Sequence, residues 1–225
     1  MKTTQMVQRY TASERCNHWL VAISFILTTL SGLGFFHPGF YWLTNLFGGA
    51  VWARILHPYF AAFLVLSFLV WLFRLRHYLG ITKEDRKWAG EISAIMRNKM
   101  DAAPPVGKFN FGQKMLSSAM FVLILLLLAS GICIWQPWFA DDFSVPTRRI
   151  AVVVHFLSAS AAILAFIVHV YAAIWTSGSI SGMVRGWVSK DWALAHSELW
   201  YKKMIEERKE ARGGAGKVTE KTAAS

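Results

Sequence analysis

A chain of 225 residues that is 55% hydrophobic and 15% aromatic, only 16% charged, with mean hydropathy +0.37, lies outside the range of soluble domains and reads as an integral membrane protein. Its net charge of +11 does not point to nucleic acid, because the basic residues avoid the apolar segments and no groove-reading or base-stacking motif accompanies them. Two cysteines, Cys16 and Cys133, cannot hold an iron–sulfur cluster, which takes about four thiolates, and their places near opposite membrane faces argue against a disulfide.

Four apolar runs, 19–36, 55–73, 115–135 and 150–174, meet the length of about 20 helical residues that a bilayer crossing requires. Backbone polar groups must be satisfied internally in lipid, so each run is expected to be a helix, with Trp19 and Trp42 at the interface of the first. That first run has no small-residue cleavage pattern before His37-Pro38-Gly39, so it is expected to remain as a span. Of the 24 basic residues, all but Arg54, Arg148 and Arg149 fall in the N-terminal tail, the loop 74–114 or the region after Trp175. By the positive-inside rule both termini and the central loop are cytoplasmic. Within that loop a short helix is expected near 88–99, ended by Ala102-Ala103-Pro104-Pro105. The tail around Trp200-Tyr201 reads as a surface helix, and Gly213-Gly214-Ala215-Gly216 begins a disordered end. The expected organisation is one transmembrane domain, 1–212, and a tail, 213–225, with no internal repeat.

The fourth run contains two histidines. At about 100° and 1.5 Å per residue, His155 and His169 leave one helix face about 21 Å apart. Ser158, Ala159, Ala162 and Ala165 lie between them, with Phe166 beside them, a small-residue face that admits something broad and flat. Ionisable groups at membrane depth are functional candidates, and hydrogen bonds between helices are the structural alternative. His57 opens the second span on the outer side, at the depth of His155. His18 opens the first span from the cytoplasm, at the depth of His169. Two pairs at two depths suit axial ligation of two haems, whereas zinc takes about four ligands at one depth. With no Cys-x-x-Cys-His, the haems would be b-type and uncoupled to the chain. Arg54, Arg148 and Arg149 outside and Arg15 inside are candidate propionate partners or ordinary membrane-edge residues. His37, His77 and His196 read as surface or interfacial. Just before the third span, Lys108, Asn110 and Gln113 offer polar groups, Gly112 allows close approach, and Phe109 and Phe111 supply apolar walls. That mixture suits a quinone, or else a loop whose amides cap the helix.

Between about 15 and 201 the chain resembles the cytochrome b (gamma) subunit of respiratory, membrane-bound formate dehydrogenases. The resemblance is carried by Arg15-Cys16-Asn17-His18-Trp19, Arg54-Ile55-Leu56-His57-Pro58, Gly107-Lys108-Phe109-Asn110-Phe111-Gly112-Gln113-Lys114 and Ile134-Trp135. The His155/His169 pair, Gly178-Ser179-Ile180-Ser181-Gly182-Met183 and Lys190-Asp191-Trp192-Ala193 complete it. It implies an all-α, four-helix transmembrane bundle in the bacterial inner membrane, holding two haem b groups: an outer one on His57 and His155, an inner one on His18 and His169. It further implies a quinone (menaquinone or ubiquinone) at a site beside the cytoplasmic haem, for which Lys108, Asn110, Gly112 and Gln113 are the candidates. The implied partners are an iron–sulfur (beta) subunit and a molybdenum or tungsten catalytic (alpha) subunit that oxidises formate, assembled as a higher multimer of the heterotrimer. The alternatives are the cytochrome b of a nickel–iron hydrogenase or another molybdoenzyme, and a haem-free membrane anchor.

Overall fold

The first helix starts seven residues before its apolar run, because Thr11 and Glu14 form a capping box. Glu14 N donates to Thr11 Oγ1 (3.2 Å) and Thr11 N donates to Glu14 Oε2 (2.8 Å). In the computed structural model, which describes residues 5–97, 104–136 and 138–223, this helix, α1, covers Ala12–Phe36. His37 and Pro38 end it and lead into a 3₁₀ helix, Pro38–Phe47. Gly48 and Gly49, at φ 87° and 100°, then turn the chain into α2, Ala50–Leu79.

A second capping box, Thr82 with Asp85, starts α3, Lys83–Gly90, which is followed by α4, Ile92–Met96. The helical segment of the central loop therefore begins earlier than expected and is broken in two. The expected end of that helix, at 98–99, and the Ala102-Ala103 part of the expected break lie outside the described residues. α5 covers Phe111–Ile134, and Ser144 caps α6, Val145–Trp175, with Pro146 in its first turn. α1, α2, α5 and α6 are all long and apolar enough to cross a membrane. α7, Ser179–Arg185, α8, Lys190–His196, and α9, Glu198–Ala223, complete the helices. The bounds of α9 take in Gly213-Gly214-Ala215-Gly216, from which the sequence suggests a disordered end.

The chain divides into two compact units. The first, 9–76 with 115–186, contains the apolar lengths of the four long helices. Phe25, Leu64, Phe68, Ile124 and Ala162, from α1, α2, α5 and α6, form one buried cluster, and Phe25 meets Phe166 at 5.0 Å between ring centres. The outward faces of these helices remain apolar and exposed, with Phe63, Leu66, Leu157 and Leu164 all more than half exposed, as lipid-facing positions should be.

The second unit, 1–8 with 77–114 and 187–225, contains the only two strands among the described residues. β1, Met6–Gln8, pairs antiparallel with β2, Trp187–Ser189, in the register Val7 opposite Val188. Val7, Val188, Ala193 and Tyr201 make a small core that fastens α8 and the start of α9 to this ribbon. Leu199 N donates to Val106 O at 3.1 Å, adding the loop before α5 to the same unit.

Candidate functional site

The inward face of α6 matches the face read from the sequence. Ser158 and Ala162 are buried, and His155, Ala159, Ala165, Phe166 and His169 are half-buried, while their neighbours Leu157, Leu164 and Val168 are exposed. Ala162 receives the four-helix cluster at mid-length. Ala162 therefore accommodates side chains from α1, α2 and α5, and the two histidines lie on either side of that apolar layer.

Both expected histidine pairs form. His57 on α2 and His155 on α6 have ring centres 6.3 Å apart at 64°, and His18 on α1 and His169 on α6 are also 6.3 Å apart, at 47°. Two imidazoles bound on opposite sides of one metal, each nitrogen about 2 Å from it and each ring centre about 1 Å further, have centres about 6 Å apart. The spacing of both pairs therefore fits two imidazoles that would hold one haem iron between them. Among the described residues no three of His, Cys, Asp and Glu gather as a metal cluster, and a pair of imidazoles is the donor set that would suit a bis-histidine haem.

Two serines not singled out from the sequence hold the first pair. Ser31 Oγ on α1 lies 2.9 Å from His57 Nδ1, and Ser130 Oγ on α5 lies 3.0 Å from His155 Nδ1. Each serine is followed by a glycine against the same ring. A Cβ at Gly32 would stand 3.0 Å from His57 Cε1, and one at Gly131 would stand 3.4 Å from His155 Cε1. The signal was present as a repeated Ser-Gly dipeptide late in the first and third spans, where no internal repeat was recognised.

The second pair is furnished differently. His18 packs edge-on against Trp71, 5.4 Å between ring centres, and its Nδ1 is buried without a hydrogen-bond partner among the described residues. Beside it, Asn17 Nδ2 donates to Ser67 O at 2.9 Å, a buried tie between α1 and α2 that sequence reasoning also passed over. Arg15 donates through a terminal guanidinium nitrogen to Val184 O, and its Nε is buried with no partner among the described residues. Gly186 makes room for that guanidinium: a Cβ there would stand 2.8 Å from Tyr10 O and 3.1 Å from Arg15 Nε. Of the other arginines, Arg148 meets Asp141 at 3.3 Å, while Arg54 and Arg149 are exposed. Cys16 and Cys133 are both free thiols.

In the other unit, the residues read as quinone candidates lie in one stretch, largely occupied with one another. Asn110 N donates to Gln113 Oε1 (3.0 Å) and Gln113 N to Asn110 Oδ1 (2.9 Å), the reciprocal cap of α5. That is the capping alternative, and it uses the two side-chain oxygens while leaving each its NH₂ group. Gly112 approaches Trp88, whose Cη2 would be 3.4 Å from a Cβ. Lys108 is buried with its Nζ 4.8 Å over the Tyr78 ring, which Phe109 meets edge-on. Lys114, also buried, donates to Asp85 Oδ2 (2.6 Å) and Gly80 O (2.8 Å). Burial raises the Asp85 carboxyl, but the hydrogen bonds from Lys114 and Thr82 outweigh it and hold the group below its usual value.

Comparison with known proteins agrees with this arrangement. The sequence profile of the prokaryotic cytochrome b561 family matches residues 9–186. The chain is 43% identical over 204 residues to the formate dehydrogenase cytochrome b556(fdo) subunit of Escherichia coli strain K12, covering 91% of this chain and 96% of that protein. To the nitrate-inducible formate dehydrogenase cytochrome b556(Fdn) subunit of the same strain it is 35% identical over 216 residues, 95% of this chain and all of that protein. A formate dehydrogenase cytochrome b556 subunit of Haemophilus influenzae is 36% identical over 202 residues, covering 88% and 83% of the two chains. With four membrane-length helices, two facing imidazole pairs and relatives matched nearly end to end, the chain belongs to the prokaryotic cytochrome b561 family, among the cytochrome b subunits of formate dehydrogenases.

Proposed function

We propose that this chain carries electrons across the bacterial inner membrane, from an iron–sulfur subunit on the outer side to quinone on the cytoplasmic side. The observation that carries the reading is the pair of facing imidazoles at 6.3 Å, found twice and on either side of one apolar layer. His57 and His155 would hold an outer b haem, and His18 and His169 an inner one. Haem held there would supply a one-electron couple.

The chain's own residues do the rest. The imidazoles bind and orient, and the cluster of Phe25, Leu64, Phe68, Ile124 and Ala162 excludes water between the two sites. The basic residues of the termini and central loop keep those segments cytoplasmic. Formate oxidation belongs to a molybdenum or tungsten subunit of the same complex, and the heterotrimer assembles further. Quinone, menaquinone or ubiquinone, is bound by Lys108, Asn110, Gly112 and Gln113, with the free NH₂ groups of Asn110 and Gln113 as donors to its carbonyls.

The experiment is a reduced-minus-oxidised spectrum of the purified complex with haem counted per chain. Two b haems are expected. His57→Ala or His155→Ala should lose one haem and block reduction by formate. His18→Ala or His169→Ala should lose the other and stop quinone reduction while the outer haem still reduces. Two haems retained in His155→Ala would overturn the pairing.

A further inference from the structure

Ser31 and Ser130 repeat one arrangement in two places. Ser31 Oγ lies 2.8 Å from Leu27 O and 3.0 Å from Thr28 O on its own helix. Ser130 Oγ lies 2.6 Å from Leu126 O and 3.3 Å from Leu127 O. A hydroxyl has one proton, and in both serines a helix carbonyl stands within reach to take it, which leaves the oxygen able to accept from the histidine. A neutral imidazole that would bind iron through Nε2 carries its proton on Nδ1, so His57 Nδ1 at 2.9 Å and His155 Nδ1 at 3.0 Å would donate to these serine oxygens. Gly32 and Gly131 bring the serine-bearing backbones against the rings. Nothing equivalent holds His18, whose Nδ1 is buried without a partner among the described residues.

We propose that Ser31 and Ser130 are positioning residues that lock His57 and His155 in the Nδ1–H tautomer and, by accepting that hydrogen bond, lower the potential of the haem those histidines bind. This inference rests on the haem assignment made above. An imidazole that donates from Nδ1 is a more basic ligand at Nε2, and a more basic axial ligand favours ferric over ferrous iron. Both ligands of the outer site are clamped this way, so the two effects act on one iron in one direction. A lower potential at the outer site would favour electron flow from it toward the inner one.

The test is spectroelectrochemistry of the purified complex carrying Ser31→Ala, Ser130→Ala, or both, with Ser31→Thr and Ser130→Thr as hydroxyl-retaining controls. Loss of the acceptors should raise the ferrous-to-ferric ratio of the outer haem about tenfold at a fixed potential, which is ~59 mV upward for one electron. The inner component should stay in place, and the threonine variants should return the outer one toward its original value. Outer haem lost in the alanine variants and regained with threonine supports the clamp equally. An outer component retained but unmoved, an equal movement of both components, or loss that threonine does not repair overturns it. If the unsubstituted complex holds no haem, the assignment itself has failed and the inference falls with it; two haems with no shift defeat the inference alone.

Discussion

At the scale of single residues, two glycines give a graded test of how closely the His57 and His155 rings are held. Alanine at Gly32 would bring a methyl 3.0 Å from His57 Cε1, tighter than ordinary van der Waals contact, whereas at Gly131 the same change meets His155 Cε1 at 3.4 Å. Overpacking of a tight site costs about 1–3 kcal/mol when neighbours must shift. Gly32→Ala should therefore lower haem retention at that pair more than Gly131→Ala, measured as haem per chain after detergent purification. Equal retention in the two variants would show that the rings are free to move. Gly186 is a separate case: at φ 88°, with Tyr10 O 2.8 Å from its would-be Cβ, it admits no side chain. Gly186→Ala should destabilise the first unit by about 1–3 kcal/mol, read as a lowered Tm. The histidines were legible from spacing and depth because an intramembrane imidazole is rare. The serines were not, because a Ser or Gly in a membrane helix is ordinary until its partner across the bundle is known.

At the scale of elements, α3 is tied to the start of α5 by the ion pair of Asp85, 2% exposed, with Lys114, 6% exposed. Removing one partner of a buried pair leaves a charge with no counter-ion, at about 3–5 kcal/mol. Asp85→Asn and Lys114→Met should each speed hydrogen exchange across Lys83–Gly90; exchange rates unchanged in both would mean that α3 is held by other contacts. The pH dependence has a definite sign. A carboxyl held below its ordinary value of 3.8 stabilises the fold fully above that value, and the contribution is lost as pH falls through the lower folded value. Protection of α3 should thus be flat from neutral pH to about 4 and decline only in stronger acid. Both capping boxes are local patterns, Thr11-x-x-Glu14 and Thr82-x-x-Asp85, and they start α1 and α3 earlier than the expected bounds of 19 and 88, which rest on hydropathy and did not weigh them. The β1–β2 ribbon was not legible in the sequence, because three-residue strands about 180 residues apart carry too little periodicity to announce their pairing.

At the scale of the whole molecule, the distribution of Lys and Arg makes an orientation prediction that needs no haem. A cytoplasm-only fluorescent reporter fused at the C-terminus should be fluorescent, and a reporter active only outside should work when inserted at Asp142, in the loop that leads to α6. The opposite pattern would invert the assignment of outer and inner sites. The four spans and their order follow from composition and one-dimensional spacing, because lipid forces helices. Which imidazoles come within 6.3 Å of each other, which serine lies against which Nδ1, and whether Asn110 and Gln113 turn toward a ligand or toward their own helix depend on how separate helices rotate and pack. Those are contacts between residues distant in the chain, set by the fit of side chains such as Phe25 against Ala162 and His57 against Gly32, and only the folded bundle brings them together.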